Sequence, residues 1–211
     1  MKLIHKLFGS IVFAILIYSG FMLISMALKY ENGSKKYTEI QNMISTIDNT
    51  STTISGGDSL TESMKSINSD YIAWIKIEGS QINYPIVIES SDIDYLTHDF
   101  RKSEDFYGCL FIGQTDPFST GNTFIYGHNM KNGEMFGSLK KYLDQSYLNE
   151  HKDITIYYNG LSIKYRIVSA QVVEVGYQPY EQSSQLTEPT SMITLSTCYT
   201  SSKRLLVQAI R

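Results

Sequence analysis

The chain has 211 residues, a formal net charge of −3, 16 tyrosines, 9 phenylalanines and only 4 prolines. A charge so close to neutral argues against a nucleic-acid partner, which needs a basic surface. The only cysteines are Cys109 and Cys198, which are too few for a disulfide framework and fit no zinc-binding pattern.

The first predicted element is an uncharged segment from Leu7 to Leu28. As a helix it would be about 33 Å long, which is enough to cross a hydrocarbon core of about 30 Å. The alternative is a cleaved signal peptide with a small-residue site at 25–27, but this apolar run exceeds the roughly 7–15 residues of a signal sequence. We therefore predict that residues 1–28 are a cytoplasmic tip and a transmembrane anchor.

The direction of the anchor is only weakly marked, because lysines lie on both sides of it. The positive-inside rule slightly favours an N-terminus inside the cell, and the domain that follows would then be extracellular.

Residues 29–69 are predicted to tether the anchor to the domain. A helix is expected over 35–48, where apolar residues share one face. The stretch 45–63, which is dense in Ser, Thr and Gly, is predicted as a loop. Ser59 and Glu62 have the spacing of a capping box, which predicts a short helix that extends through Ile67.

Residues 70–211 are predicted to form one mainly β domain. Aromatic and β-branched residues are frequent in it, as is typical of strands. Pro85 suggests that the second strand is at an edge or carries a bulge. Asn159-Gly160 between two apolar runs predicts a tight hairpin. About eight strands and few helices indicate a closed or nearly closed eight-stranded β-barrel.

The last two predicted strands enclose a candidate reactive site. The run from Ser191 to Arg211 is a strand ending at Cys198, a short polar loop, Arg204 and a second strand. Antiparallel pairing would bring the thiol and the guanidinium together. A free cysteine is usually an inert core residue, whereas a nucleophilic one is partly exposed. Position alone leaves both roles open for Cys198.

His128 follows another predicted strand, between Gly127 and Asn129, which suggests a turn that presents its ring. The other histidines are less promising, since His5 precedes the anchor, His98 lies in a polar helical turn and His151 follows a helix among charged residues. No pair of them has metal-ligand spacing, so no metal or other cofactor is expected. Arg204 is either a solvated strand end or a cation near a developing oxyanion. Cys109 is interpreted as core packing, although a Cys109–Cys198 disulfide stays possible and would silence the nucleophile.

Several motifs in order resemble one family. Thr194-Leu-Ser-Thr-Cys198 with Arg204 looks like the active-site signature of sortases, the membrane-anchored cysteine transpeptidases of Gram-positive bacteria. Tyr126-Gly-His128-Asn-Met, Gly133-Glu-Met-Phe-Gly and Trp74-Ile-Lys-Ile-Glu-Gly are similar to class B sortases in particular. The resemblance runs from about residue 70 to the C-terminus, and such an ordered set is more specific than any one motif.

This resemblance implies a sortase-type eight-stranded β-barrel with short N-terminal helices. It implies Cys198 as the nucleophile, His128 as the general acid–base and Arg204 as the cation that orients the substrate or stabilises the transition state. Ser196, and Thr197 on the opposite strand face, are candidates for substrate contact. The segment 176–191 is shorter than the groove-shaping insertion of class B sortases, and Tyr177 within it is a further candidate groove residue.

The implied reaction joins secreted proteins to the cell wall. A sorting motif of the type Asn/Ser-Pro-x-Thr-Asn/Gly would be cleaved after Thr through a thioacyl-enzyme. An amine of the lipid-linked peptidoglycan precursor would then resolve it. The sequence leaves open a pilin-type polymerase, a plain cysteine peptidase that uses water, and a non-catalytic surface adhesion domain.

Overall fold

A computed structural model describes residues 2–50, 56–113, 117–119, 121–176 and 191–211. The chain divides into two compact units, Met1–Ile40 and Gln41–Arg211. The described helices are α1 (Lys2–Thr50), α2 (Gly56–Ile67) and α3 (Gln145–Glu150), and a 3₁₀ helix covers Gly137–Leu143.

Helix α1 contains the predicted anchor. Its stretch His5–Ile44 is long and apolar enough to cross a membrane, by length and composition alone, and the large apolar side chains between Leu7 and Leu28 are exposed.

The loop predicted over 45–63 is wrong in the part that the structure describes. Helix α1 continues to Thr50, and α2 begins at Gly56. Residues 45–50 include neither Gly nor Pro, and polar residues alone lower helix propensity only modestly. The predicted short helix ending at Ile67 is confirmed as α2, although the side chain of Ser59 lies outside the described residues.

Eight strands close into a barrel in the order β1-β2-β3-β4-β7-β8-β6-β5, which confirms the predicted fold class. Two neighbouring pairs, β2–β3 and β4–β7, are parallel, and the others are antiparallel. The strands are β1 (Tyr71–Ile77), β2 (Asn83–Ile88), β3 (Leu110–Ile112), β4 (Gly121–Tyr126), β5 (Asp153–Tyr158), β6 (Leu161–Glu174), β7 (Ser191–Cys198) and β8 (Lys203–Ile210).

The prediction from Pro85 is wrong, because β2 lies between β1 and β3 and is not an edge strand. Pairing with β3 begins at Ile86, one residue after the proline. The β2–β3 ladder therefore does not need the N–H that Pro85 lacks. The irregularity lies in β1, between Tyr71 and Ala73. The predicted Asn159-Gly160 hairpin is confirmed between β5 and β6, and both turn residues have positive φ, 48° and 73°.

The three neighbouring strands β4, β7 and β8 carry the candidate reactive residues. Strand β7 lies between the other two, parallel to β4 and antiparallel to β8. The C-terminal ends of β4 and β7 and the start of β8 therefore meet at one end of the barrel.

Candidate active site

Strand register brings the three candidate catalytic residues to one place. In the parallel β4–β7 pair, Tyr126 lies opposite Ser196. His128 lies two residues after Tyr126, and its segment stays beside the end of β7, because the Gly127 N–H donates to the Ser196 carbonyl at 3.2 Å and the Asn129 amide donates to the Cys198 carbonyl at 2.7 Å. In the antiparallel β7–β8 pair, Cys198 lies opposite Arg204, at the roughly 5 Å separation between opposite residues on neighbouring strands.

The surroundings of Cys198 suit a reactive thiol. Cys198 is free and exposed, whereas Arg204 is half-buried and its Nη1 donates to the carbonyl of Lys203 at 3.2 Å. The neighbouring Lys203 ammonium pairs with Glu174 at 3.3 Å on the surface. A reactive cysteine needs access to the substrate and a nearby cation, and Cys198 has both.

The backbone around His128 is fixed from two directions. Its carbonyl accepts a hydrogen bond of 2.9 Å from the N–H of Phe136, which closes a loop after β4. Gly127 precedes it where a Cβ would lie 2.3 Å from Leu110 and 2.9 Å from Phe136, so any larger residue would require these two side chains to shift. The half-buried imidazole of His128 lies with Nε2 at 2.6 Å from the carbonyl oxygen of Leu96.

Two hydrogen bonds tie the chain around His128 to the end of β7. The Thr197 hydroxyl donates to the carbonyl of Gly127 at 2.7 Å, and the Asn129 amide donates to the carbonyl of Cys198 at 2.7 Å. Thr197 is only 3% exposed, so its hydroxyl serves this internal link. Together these bonds hold the two chain segments in a fixed relation beyond the last ladder pair.

A groove of about 450 Å³ reaches Cys198 and Arg204. Its lining includes Phe111, Tyr126 and Ser196, and the rings of Phe111 and Tyr126 stack with centroids 5.4 Å apart. The volume is in the range of ligand sites, which are typically about 300–1,000 Å³. An apolar aromatic surface beside a thiol and a guanidinium can hold a peptide for acyl transfer.

The predicted substrate contacts fall in different places. Ser196 lies in the groove on the same strand face as Cys198 and is 7% exposed. Thr197 also contributes to the lining, but its hydroxyl is used internally. Tyr177 lies outside the described residues, as does most of the segment 176–191.

The described groove lining includes neighbouring Gly127 but not His128 itself, and it includes none of Cys109, His98 and His151. Cys109 is 2% exposed and is not disulfide-bonded, and its Sγ lies 3.8 Å from the carbonyl of Pro85, so the core interpretation agrees with the structure and the disulfide alternative does not. His98 contacts the carbonyl of Asp94 at 3.0 Å, and His151 stacks on Tyr147.

Sequence reasoning missed the aromatic residues of the groove, Phe111 and Tyr126, and the contact of the His128 ring with the Leu96 carbonyl. Phe111 and Tyr126 could have been found from their positions at the ends of strands near the predicted site. Leu96 could not, because it contributes a backbone carbonyl that every residue type has.

Comparisons with known proteins agree with this geometry. The family model for a sortase domain matches residues 75–211. Sortase B of Listeria monocytogenes is 32% identical over 185 residues, covering 85% of this chain and 73% of that protein. Sortase B of Staphylococcus aureus is 36% identical over 95 residues, which are 44% and 39% of the two chains.

Solved structures share the same fold. A mutant form of Clostridium perfringens sortase B superimposes with a TM-score of 0.69 at 25% identity, covering 84% of this chain and 97% of that one. The crystal structure of Staphylococcus aureus sortase B superimposes with a TM-score of 0.71 at 24% identity, covering 83% and 96%.

Proposed function

This chain belongs to the sortase family, is most similar to class B sortases and is a cysteine transpeptidase, and on that premise we propose that Cys198, His128 and Arg204 carry the reaction. Cys198 is the nucleophile, His128 the general acid–base and Arg204 the cation that stabilises the oxyanion. The observation that best supports this proposal is the register that aligns β4, β7 and β8 with these residues at one end.

In the first half-reaction, the Cys198 thiolate attacks the carbonyl carbon of the sorting-motif Thr. The C–S bond forms and the negative charge moves to the carbonyl oxygen, where the Arg204 guanidinium stabilises it. The C–N bond then breaks, and protonated His128 gives its proton to the leaving nitrogen. The enzyme is left as a thioester with neutral His128.

In the second half-reaction, an amine attacks the thioester carbonyl and neutral His128 takes its proton. The new C–N bond forms as the C–S bond breaks, and the thiolate of Cys198 is regenerated. A solved sortase B is complexed with triglycine, a peptide with a terminal amine. We assign the same chemical class of acceptor to this chain, in the form of an amine of the lipid-linked peptidoglycan precursor.

The donor in this proposal is a secreted protein whose C-terminal motif is of the type Asn/Ser-Pro-x-Thr-Asn/Gly. Ser196 and the stacked rings of Phe111 and Tyr126 line the groove that would receive it. A solved Staphylococcus aureus sortase B is itself a substrate complex. Tyr177 remains a proposed groove residue.

The proposed location follows from α1. Residues 1–28 would be a cytoplasmic tip and a single membrane span, 29–69 a tether, and 70–211 an extracellular catalytic domain. The apolar residues of α1 that are exposed in the isolated chain would then face lipid. Such an anchor would hold the enzyme beside lipid-linked acceptors.

The test uses the full chain in detergent micelles with quenched peptides that carry sorting motifs, with and without triglycine. We expect cleavage after Thr and, with triglycine, a joined product detected by mass spectrometry. Cys198→Ala, His128→Ala and Arg204→Ala should each abolish or strongly reduce turnover. Cys109→Ala is the matched control, because it removes a buried thiol away from the groove.

The outcomes separate the alternatives. Cleavage that triglycine neither accelerates nor diverts to a joined product indicates a plain peptidase. Joining to a lysine of another protein indicates a pilin-type polymerase. An adhesion domain would bind the peptide without forming a thioacyl adduct on Cys198, and Cys198→Ala would bind the peptide equally well. Cleavage that persists in all three site variants contradicts the catalytic assignment.

A further inference from the structure

The His128 ring makes a close polar contact with a backbone carbonyl. Nε2 lies 2.6 Å from the oxygen of Leu96. A carbonyl oxygen can only accept a hydrogen bond, so a bond of this length requires a hydrogen on Nε2. This holds for the neutral ring and for the imidazolium. The exchangeable proton of His128 therefore resides on the other nitrogen, Nδ1.

The Leu96 carbonyl belongs to a turn that is held on both sides. The N–H of Leu96 donates to Oδ1 of Asp94 at 2.9 Å, and the N–H of Thr97 donates to the Asp94 carbonyl at 3.0 Å. The preceding carbonyl, that of Tyr95, accepts a bond of 2.8 Å from Cys109. The acceptor for His128 therefore has little freedom to move.

Gly108 allows this turn and the imidazole to come together. It has φ of +60°, and a Cβ at this position would lie 2.6 Å from the Tyr95 carbonyl oxygen, 3.0 Å from that of Leu96 and 3.1 Å from Cδ2 of His128. Two of the three neighbours are backbone atoms in the fixed turn. Any side chain here would push the turn and the His128 ring apart.

We propose that the Leu96 carbonyl and Gly108 position His128 as its Nε2–H form, so that Nδ1 is the atom that exchanges protons with donor and acceptor. This inference rests on the proposed acid–base role of His128. Gly108 is not part of the described groove lining, and Leu96, which does line the groove, takes part in this step through its backbone carbonyl. Both act through the ring, by fixing its orientation and its tautomer.

The proton steps balance on Nδ1 alone. In acylation, the C–S bond forms, the C–N bond breaks, and the Nδ1 proton of the imidazolium passes to the leaving nitrogen. In deacylation, the attacking amine forms the new C–N bond and loses a proton to Nδ1, while the C–S bond breaks and the sulfur leaves as thiolate. The Nε2 hydrogen stays on the Leu96 carbonyl throughout.

The direct test is the nitrogen NMR spectrum of the full chain labelled with ¹⁵N-histidine, recorded in detergent at a pH where the ring is neutral. His128 is assigned by the signal that disappears in His128→Gln. We expect its Nε2 to resonate as a protonated nitrogen and its Nδ1 as an unprotonated one. The reverse pattern, or a mixture of tautomers, overturns the proposal.

The kinetic test compares Gly108→Ala with Gly121→Ala. Gly121 also has positive φ, +85°, but a Cβ there meets no atom of the described residues within 4 Å, so this control carries the backbone strain without the contact. We expect Gly108→Ala to lower kcat about 100-fold, because displacement of a catalytic group by about 1 Å has an effect of this size, with KM little changed. It should also mix the two tautomers of His128, whereas Gly121→Ala should leave kcat and the spectrum unchanged.

Each result has one interpretation. A Gly108→Ala chain that keeps both the kcat and the tautomer of the unmodified chain overturns the proposal. If this variant does not fold, the spectrum of the unmodified chain decides alone. An unmodified chain that transfers no sorting peptide contradicts the proposed function, whereas an active chain with His128 protonated on Nδ1 contradicts only this inference.

Discussion

The side-chain amide of Asn129 donates a hydrogen bond of 2.7 Å to the backbone carbonyl of Cys198. This bond joins the residue after His128 to the residue that carries the thiol. It acts together with the bond from the Thr197 hydroxyl to the Gly127 carbonyl. Thr197 directly precedes Cys198, and Gly127 directly precedes His128. The spacing of thiol and imidazole is thus set by bonds between neighbouring residues.

Asn129→Ala should lower kcat by up to about tenfold, since one hydrogen bond contributes about 1 kcal/mol net and 1.4 kcal/mol corresponds to about tenfold in rate. KM should change little, because Asn129 is not part of the groove lining among the described residues. The measurement is steady-state kinetics with a sorting peptide and triglycine.

The matched control is Asn149→Ala, which removes an exposed asparagine that accepts a bond from Gln145 in α3. It should leave kcat unchanged. Equal kinetics for the two variants would show that the tie from Asn129 to Cys198 does not serve the reaction.

Arg204 should be replaceable only in part by lysine. Arg204→Ala should lower kcat about 100–1,000-fold, as loss of one oxyanion donor does elsewhere. Arg204→Lys keeps the charge but not the planar, multi-donor fork, and should give an intermediate rate. The comparison is made by single-turnover acylation of Cys198, followed by mass spectrometry. Lys203→Ala is the control, because its ammonium pairs with Glu174 on the surface.

An acylation rate for Arg204→Ala within about threefold of the unmodified chain would contradict the role, since loss of a transition-state interaction must appear in that step.

Some of this site could be predicted from the sequence, and the reasons differ by residue. Cys198 and Arg204 are joined by a short loop, so antiparallel pairing of the two strands places them next to each other. His128 comes from a distant strand that pairs in parallel with β7, and alternation within one strand does not indicate which strands become neighbours. The family resemblance, rather than periodicity, linked it to Cys198.

The contacts that support His128 had weaker signals or none. Leu96 acts through its carbonyl, which leaves no mark on residue type. The sequence carries no signal for the role of Gly108, whose importance follows only from the close approach of three separate segments. Composition also misled where the chain is rich in Ser and Thr, since the helix continues to Thr50.

Asp70 should make stability depend on pH. Burial alone would raise the pKa of its carboxyl, but hydrogen bonds from the Lys102 ammonium and the Tyr95 hydroxyl outweigh burial and lower the pKa below its ordinary value. Since the folded-state pKa is the lower one, the carboxylate stabilises the fold above the unfolded-state pKa of about 3.9. This contribution is lost as the pH falls through the folded-state value.

Asp70→Asn should therefore lower the free energy of unfolding at pH 7 by about 1.5–3 kcal/mol, the usual value of a hydrogen bond to a charged group. The difference from the unmodified chain should shrink below about pH 4. Urea unfolding at several pH values, followed by fluorescence of Trp74, measures it. Asp92→Asn is the matched control, because it makes the same change at an exposed carboxyl that accepts a hydrogen bond from the Ser91 hydroxyl. A difference that stays constant from about pH 7 to about pH 3 would contradict the assignment.

Tyr107 links the approach to β3 with the loop that follows His128. Its buried hydroxyl donates to the Glu134 carboxylate and accepts from the Asn132 amide at 2.8 Å. Burial, with a further effect of Glu134, raises the pKa of Tyr107, so the hydroxyl keeps its proton and remains a donor at neutral pH. Tyr107→Phe should lower the free energy of unfolding by about 1.5–3 kcal/mol, because a hydrogen bond to a charged group is lost.

Tyr142→Phe is the matched control. Its hydroxyl is also buried, yet finds no hydrogen-bond partner among the described residues. Tyr142→Phe deletes the same atom as Tyr107→Phe. Because the deleted Tyr142 hydroxyl is unsatisfied, the free energy of unfolding should stay unchanged or rise slightly. Urea unfolding at pH 7 compares the two variants, and equal losses would show that the Tyr107 bond to Glu134 contributes nothing. Because that bond fixes the loop after His128, Tyr107→Phe should also lower kcat, and Tyr142→Phe should not.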